Sequence, residues 1–348
     1  MSTTTTAPPE APRLPPPVQM LGVFHGMRIG QAVYALAALG VADVVAERPC
    51  TVPEVAQRVG ADADALARVL RAAAAAGVFA LQPDGTVALT PLARLLVRDA
   101  DDSLRDLALL HGELFWEPYG AIVDSVRSGR PAAEAALGTS FFRHLEQQPE
   151  QAAIFDRAMT QLSGAVNSLL LHTLDVSRYR RIADVGGGRG HLLAELLARN
   201  PAAEGVLLDR APVVAAARDL LAERGLRDRV EVVAHDFFDP LPVTDCDAYL
   251  LKSVLLNWSD EDAVRILRRI REAIGERTDA RLLVVEQVLG PPGTPDDPGA
   301  YVDLDMLLIL GGRQRTAEEL RAVIGAAGFT CVTDPVPRRW NTIECAPR

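Results

Sequence analysis

The chain has 348 residues, 49% of them hydrophobic, and a formal net charge of −10 at pH 7. This length predicts two domains, and the apolar fraction is enough to bury a sizeable core. The acidic balance argues against nucleic-acid binding, because such binding gains affinity by neutralising phosphates. The four cysteines are scattered without a Cys-x-x-Cys pair. Their spacing argues against a disulfide framework or a metal site and favours a cytoplasmic protein.

Residues 1–17, rich in Thr and Pro, predict a disordered tail. No signal peptide and no apolar run of about 18 residues is visible, so no membrane partner is expected. An apolar helix or helix pair follows from Met27 to Val45, broken near Gly40. Residues 18–110 are therefore expected to form a helical domain.

The next segment shows a helix start, a second helix and a hairpin. Thr51, Pro53 and Glu54 match an N-cap, a first-turn proline and the third helical position. A helix over 64–76 and a hairpin over 77–90, with Asp84-Gly85 at its turn, complete a winged helix. A winged helix serves DNA binding or dimerisation. Residues 41–100 hold six Arg and seven Asp or Glu, which give no basic face and favour dimerisation.

Residues 111–175 are predicted to form further helices. These helices link the two domains and are expected to cover the ligand pocket of the following domain. From residue 176 to 348 strands and helices alternate, which predicts an α/β domain with a Rossmann-like, mostly parallel sheet. Ligands of such sheets bind beyond the carboxyl ends of the strands. The predicted strands and helices are 182–186, 190–199, 204–209, 211–224, 229–234, 247–252, 260–274, 280–286, 316–327, 329–333 and 342–346.

The first of these strands runs into a glycine turn, Gly186-Gly187-Gly188-Arg189-Gly190, and then a helix. Strand, glycine turn and helix are typical of nucleotide binding, because glycine lets the backbone approach a ligand closely. The spacing is Gly-x-Gly-x-Gly and not the Gly-x-Gly-x-x-Gly of dinucleotide sites. It therefore indicates S-adenosylmethionine (SAM).

Polar residues follow the next strands at the same edge. Asp209 ends the second strand, 21 residues beyond Gly188, where a carboxylate can bind a ribose diol. Asp236 and Phe237 close the third strand and can hydrogen-bond and stack on an adenine. Lys252 ends the fourth. The order of these residues predicts a complete nucleoside site.

Together these motifs resemble class I SAM-dependent methyltransferases, and among them the small-molecule O-methyltransferases that include plant caffeate-type and bacterial polyketide-tailoring enzymes. Further matching motifs are Gly138–Phe142, Phe155–Met159, Val254–Asp260, Asp303–Met306 and Gly311–Thr316. The resemblance covers nearly everything after residue 18. It implies a homodimer with an all-helical winged-helix N-terminal dimerisation domain, in which the hairpin is the wing.

The resemblance also implies roles for individual residues. Gly186 and Gly188 would approach the amino-acid end of the cofactor, Asp209 would bind the ribose, Asp236 and Phe237 the adenine, and Lys252 would flank it. Met159, Trp258, Met306 and Leu310 would line a pocket for an aromatic acceptor.

Two positions depart from the family pattern. Relatives that deprotonate a phenol usually have His-Asp-Trp where this chain has Leu256-Asn257-Trp258, and leucine cannot move a proton. A glutamate common between Gly-Gly and Arg-Thr is Gln314. Leu-Leu-Asn-Trp resembles the anthracycline-tailoring branch, in which SAM also supports hydroxylation.

Three hypotheses follow. The first is O-methylation of an aromatic hydroxyl by positioning, with Asn257 hydrogen-bonding the acceptor and Glu286 as a possible base. The second keeps SAM but replaces methyl transfer with hydroxylation, decarboxylation or a pericyclic step. The third is a winged-helix regulator that binds a small molecule, against which the acidic balance and the cofactor cleft both argue.

Overall fold

The computed structural model describes residues 14–348, without the side chains of residues 165, 168 and 169. The chain divides into two compact units, Met1–Gly112 and Glu113–Arg348. Among the described residues no single helix is long and apolar enough to cross a membrane. One bent pair of helices, Pro16–Ala38 with Val41–Glu47, meets that test on length and composition alone.

The first unit is helical apart from one small sheet. Its helices are α1 (Pro16–Ala38), α2 (Val41–Glu47), α3 (Val52–Val59), α4 (Ala63–Ala75), α5 (Pro91–Arg94) and α6 (Arg105–Leu109). Its strands are β1 (Cys50–Thr51), β2 (Phe79–Leu81) and β3 (Thr86–Leu89), in the order β1-β3-β2. The predicted hairpin is confirmed as β2 and β3, and β1 extends it into a three-stranded sheet.

Local sequence signals explain where these helices begin and end. Gly40, at φ 70°, separates α1 from α2 as the sequence indicates. Thr51 caps α3 in a capping box, with its backbone N–H 2.7 Å from Glu54 Oε2. Helix α1 begins at Pro16, inside the tail predicted for residues 1–17, because proline in a first turn loses no helical hydrogen bond. Residues 1–13 of that tail lie outside the described residues.

The second unit is a sheet with helices on both faces, as predicted. Its strands are β4 (Arg181–Val185), β5 (Glu204–Asp209), β6 (Val230–Ala234), β7 (Ala248–Lys252), β8 (Arg281–Leu289), β9 (Arg315–Thr316), β10 (Phe329–Cys331) and β11 (Trp340–Pro347). Its helices are α7 (Trp116–Gly120), α8 (Ile122–Ser128), α9 (Ala132–Leu137), α10 (Phe141–Gln147), α11 (Pro149–Leu170), α12 (His191–Arg199), α13 (Ala211–Glu223), α14 (Asp260–Ile274), α15 (Pro298–Asp305) and α16 (Ala317–Ala326).

The strand order is β10-β11-β8-β7-β4-β5-β6, and β9 pairs with the end of β8. Strands β8 to β6 are parallel, whereas β11 and β10 add antiparallel partners at one edge. From β4 the chain proceeds to β5 and β6 on one side, then returns to β7 and β8 on the other. The carboxyl ends of β4 and β7 therefore flank the switch point where doubly wound sheets bind ligands.

Candidate active site

The glycine turn after β4 leaves open space above the backbone. Gly188 has φ 61°, and a Cβ added there would meet no described atom within 4 Å. Gly186 has φ 77°, and a Cβ there would lie 2.7 Å from Cζ of Phe237. Any other residue at Gly186 would therefore be strained and would clash with the Phe237 ring, whereas at Gly188 the open side can admit a ligand.

Asp209 lies beside this turn at the end of β5. Its Oδ2 accepts the Gly188 N–H at 2.9 Å, and its Oδ1 accepts the Arg210 N–H at 2.7 Å. Burial raises the pKa of the Asp209 carboxyl, while those two hydrogen bonds and the Arg210 cation oppose the rise. A carboxylate oxygen can accept more than one hydrogen bond, so Asp209 retains the capacity to bind a diol.

Phe237 and Asp236 follow β6 at the same edge. The Phe237 ring packs edge-on against Trp258, with 6.1 Å between ring centroids, and covers the glycine turn. Asp236 is exposed, and its Oδ1 accepts the Phe238 N–H at 3.0 Å. The sequence-predicted nucleoside residues thus lie along the ends of three adjacent strands, β4, β5 and β6.

Asp184 lies against the turn, because a Cβ added at Gly187 would be 2.4 Å from its Oδ2, and other buried polar groups lie on β7 and α11. Both carboxylate oxygens of Asp184 lack a hydrogen-bond partner among residues 14–348, and so do both amide atoms of Asn167. Burial raises the Asp184 pKa to about 7, against the attraction of Lys252. Lys252 Nζ donates to Ser163 Oγ at 3.1 Å, and burial lowers its pKa.

Unpartnered buried polar atoms are costly, and they point to a polar ligand. The amino and carboxyl groups of SAM would provide both donors and acceptors here. The open side of Gly188 and these unpartnered atoms therefore fit the cofactor. The inward turn of α11 that carries Ser163 and Asn167 was missed in the sequence, because two polar residues four positions apart on a helix are no signal by themselves.

The acceptor side is built on the segment 254–258, which joins β7 to α14. It contains a short helical turn, Leu255–Asn257, and is preceded by Ser253 in the left-handed region at φ 55°. Such a conformation is strained for a serine and persists only where the surroundings fix it. Asn257 Nδ2 donates to Ser253 O at 3.2 Å, which holds the amide next to this strained residue.

Glu286 on β8 anchors the segment from below. Its side chain is 1% exposed, and its Oε1 accepts the Leu255 N–H at 3.0 Å. Burial raises the Glu286 pKa to about 7, although hydrogen bonds from the N–H groups of 254–256 and the Arg315 cation lower it. These contacts make Glu286 a partner of the backbone of the acceptor segment.

Arg315 anchors the same segment from the side. It is buried, and its guanidinium donates to Leu255 O at 2.8 Å, to Trp258 O at 2.9 Å and to Asp260 Oδ1 at 2.8 Å. Next to it, Gly312 packs so closely that a Cβ would lie 2.1 Å from Leu256 O. The motif Gly311–Thr316 is recognisable in the sequence, but its contacts with the segment 254–258 are not. Arg315, Gly312 and Glu286 hold that segment in place, and we call these three residues the clamp.

The remaining residues predicted for the acceptor pocket lie on neighbouring elements. Met159 is half-buried in α11, one turn before Ser163. Met306 and Leu310 begin and end a π-helical turn that packs against Leu255–Asn257. Tyr119 donates to Asp305 Oδ1 at 2.5 Å, just before that turn. Within the described residues no group of three or more His, Cys, Asp or Glu could hold a metal ion.

A doubly wound sheet with a glycine turn, a following carboxylate and buried polar groups defines a class I SAM-dependent methyltransferase. Family comparison gives the narrower assignment. Residues 119–330 match the O-methyltransferase domain and residues 21–99 the O-methyltransferase dimerisation domain. The chain belongs to this family of O-methyltransferases.

Individual relatives are similar over nearly their full length. A phenazine O-methyltransferase of Lysobacter antibioticus is 37% identical, over 89% of this chain and 90% of that protein. An 8-amino-8-demethylriboflavin N,N-dimethyltransferase of Streptomyces davaonensis is 38% identical, over 92% of each. A neocarzinostatin-biosynthesis O-methyltransferase solved with SAM and 2-hydroxy-5-methyl naphthoic acid has a TM-score of 0.79 at 32% identity, covering 92% of this chain and 96% of its own.

These findings establish a SAM-dependent methyltransferase of secondary-metabolite tailoring. They also separate the three hypotheses drawn from the sequence. The match to a methyltransferase domain favours methyl transfer over other SAM-supported chemistry, and the winged helix matches a dimerisation domain. Since the relatives include both O- and N-methyltransferases, the acceptor atom is a separate question.

Proposed function

We propose that this enzyme methylates an acidic aromatic hydroxyl, and that it does so mainly by positioning the acceptor. The observation that carries the proposal is Leu256, a buried apolar side chain at the position where the resemblance to the family implies a histidine base. SAM, when bound, supplies a methyl group on a cationic sulfur. Positioning of reacting atoms alone can contribute about 7–11 kcal/mol to lowering a barrier, whereas a positioned base adds a factor of about 10²–10⁴.

We propose that Asp209 binds the cofactor ribose, that Asp236 and Phe237 hold its adenine, and that Gly186, Gly188 and Lys252 flank its amino-acid end. The hydrogen bond that Asp209 accepts from the Gly188 N–H supports its part in this set. The acceptor would lie between Met159, Trp258, Met306 and Leu310. Asn257 would hydrogen-bond its oxygen, because an amide retains a second N–H beyond the bond to Ser253.

The acceptor would lose its proton because of its own acidity, without a base from the enzyme. A phenol made acidic by a neighbouring carbonyl ionises well below the tyrosine pKa of about 10. Exclusion of water by the pocket lining disfavours the phenolate, so the positive charge of the nearby sulfonium has to outweigh that cost. The hydrogen bonds of Glu286 to the backbone support a positioning role, and its proposed role as a base is tested separately below.

The test is turnover with a series of phenols that differ in acidity. The pH midpoint of kcat/KM should follow the pKa of each phenol, with release of S-adenosylhomocysteine equal to methylated product. A midpoint that stays fixed across the series would point to an enzyme base and contradict the proposal. Aromatic amines and ring nitrogens belong in the same series, because one relative is named for N-methylation of an amine.

We also propose that the chain is a homodimer formed through the first unit. Helix α1 presents six large apolar side chains to solvent, and among them Leu21, Val23, Phe24 and Met27 are each more than half exposed. Exposed apolar patches of this kind mark interaction surfaces. These side chains belong to or adjoin residues 21–99, which match the dimerisation domain. A second copy of this chain is therefore the partner that we expect to cover the exposed face of α1.

A further inference from the structure

Two cysteines lie opposite each other at the antiparallel edge of the sheet. In the register of β10 and β11, Cys331 faces Cys345. The flanking backbone bonds run from Val332 N to Glu344 O at 2.7 Å and from Arg348 N to Gly328 O at 2.9 Å. Because hydrogen-bonded pairs alternate with non-hydrogen-bonded ones, the cysteines form a non-hydrogen-bonded pair, for which the Cα atoms lie about 4.5 Å apart.

This arrangement suits a direct covalent bond between the two sulfurs. Residues directly opposite on a sheet share one face, and disulfides form across Cα separations of about 4.4–6.8 Å. The two thiols are close enough for each to shift the pKa of the other. Both pack against the core cluster that lies below α14 and α16. The Cα separation of about 4.5 Å that is usual for such a pair lies within the range of disulfides.

The two thiols differ in access. Cys345 is buried on β11, whereas Cys331 is partly exposed on β10, the edge strand. The Cys345 thiol donates to Ile343 O, with 3.7 Å between sulfur and oxygen. The neighbouring Cys345 thiol and the Arg321 guanidinium lower the Cys331 pKa, against the effect of burial. A partly exposed thiolate near an arginine is the kind of environment in which cysteines react.

The other two cysteines, Cys50 and Cys246, are buried, and in the described part of the chain no cysteine lies opposite either of them in a strand register. Cys50 is buried in the first unit, with its Sγ donating to Arg48 O at 3.3 Å. Cys246 is buried, and burial raises its pKa to about 11. Neither faces another cysteine in the strand registers of the described residues. They serve as internal references for the reactivity of the pair.

We propose that Cys331 and Cys345 form a modification site for low-molecular-weight disulfides, which oxidise the pair to an intramolecular disulfide. The Cys331 thiolate attacks one sulfur of oxidised glutathione, forms a mixed disulfide and releases one glutathione thiolate. The Cys345 sulfur then attacks Cys331, loses its proton to water and releases a second glutathione. Two protein thiols are oxidised and one glutathione disulfide is reduced, so the electrons balance.

The experiment treats the full-length reduced protein with oxidised glutathione, then measures intact mass, free thiols after denaturation, and disulfide-linked peptides. The expected result is loss of two of the four thiols, loss of two hydrogens in mass, and a peptide pair joining 331 to 345. The oxidised protein should melt at a higher temperature than the reduced protein, and a thiol reductant should reverse both changes.

Two variants separate the two steps. Cys345→Ala should stop at the mixed disulfide and retain one glutathionyl group on Cys331, while Cys331→Ser should keep its three thiols. Cys50→Ser should behave as the wild type. Reaction at Cys50 or Cys246 ahead of the pair, a disulfide between two chains, or unchanged thiols in the folded wild type would each overturn the proposal.

Discussion

Asp184 is a carboxyl held in the core directly below the glycine turn. Its pKa is raised to about 7 from an ordinary value of 3.8, chiefly by burial. The native state therefore binds this proton more tightly than the unfolded chain does, so ionisation opposes folding. The resulting loss of stability accumulates as the pH rises from 3.8 to about 7 and is constant above that.

Replacing Asp184 by Asn removes this pH-dependent loss. We measure the melting temperature without ligand and subtract the wild-type value from that of Asp184→Asn. This difference should increase between pH 4 and pH 7 and stay constant above pH 7. Thermal unfolding at a series of pH values checks this. The exposed Asp219→Asn is the control and should follow the wild type throughout. A parallel course for Asp184→Asn would show that burial does not disfavour the ionised form.

Glu286 has two candidate roles, as a general base or as a hydrogen-bond partner that holds the backbone of the segment 254–258. Gln retains an oxygen that can accept the Leu255 N–H but cannot take up a proton. We expect Glu286→Gln to retain at least about a tenth of the wild-type kcat with an unchanged pH profile, and Glu286→Ala to lose about 10²-fold or more. A loss of about 10²–10⁴-fold in Glu286→Gln, with loss of one limb of the pH profile, would assign the base to Glu286.

Leu256 lies where the resemblance to the family implies a histidine base, so introducing a histidine there tests whether deprotonation limits turnover. Leu256→His should raise turnover of weakly acidic phenols more than that of strongly acidic ones. It should also add a pH limb near the histidine pKa of about 6.5. Steady-state kinetics with the phenol series check this. Equal effects on weak and strong phenols would show that deprotonation does not limit this enzyme.

Among the elements, the segment 254–258 depends on groups far away in the sequence. Glu286 comes from β8, Arg315 from β9, and Gly312 from the loop before β9. Strand, turn and helix periodicities predicted the glycine turn, the position of Asp209 at the end of a strand, and the alternation of strands and helices, because those signals are local. The clamp was not predictable, since it arises only when β7, β8 and β9 are brought side by side.

Two other features of the structure were also not predicted from local sequence signals. The helix α15 (Pro298–Asp305) and the π-helical turn after it were not predicted, because their sequence mixes Gly, Pro and apolar residues without a clear period. Cys331 and Cys345 lie fourteen positions apart, and only the strand register places them opposite each other. The sequence predicted dispersed cysteines, whereas the fold brings two of them together.

Gly312 tests the clamp at the level of the element. A methyl group at this position would overlap Leu256 O, a backbone atom that cannot rotate away. We expect Gly312→Ala to reduce kcat by about tenfold or more and to change Trp258 fluorescence, while S-adenosylhomocysteine affinity stays within about twofold. Gly120→Ala is the matched control, because nothing lies within 4 Å of its added Cβ. Wild-type kcat in Gly312→Ala would show that the segment need not be held.

At the scale of the whole molecule, the chain combines a helical dimerisation unit with a catalytic unit that contains every residue of the proposed site. Light scattering should give twice the chain mass of 37.4 kDa. Because burying a charge on an apolar face is costly, Phe24→Asp should shift the protein towards the monomer, whereas Val332→Asp in the second unit should not. A monomeric wild type at micromolar concentration would contradict the homodimer.

The proposed function requires that the sulfonium nucleoside bind in the cleft at the carboxyl ends of β4 and β5. Calorimetry with S-adenosylhomocysteine measures this directly on wild type, Asp209→Ala and the exposed control Asp219→Ala. Hydrogen bonds to a charged group contribute about 1.5–3 kcal/mol each, so Asp209→Ala should bind at least about tenfold more weakly, and the control should match the wild type. Equal affinities in all three proteins, or no binding to a folded wild type, would contradict the account.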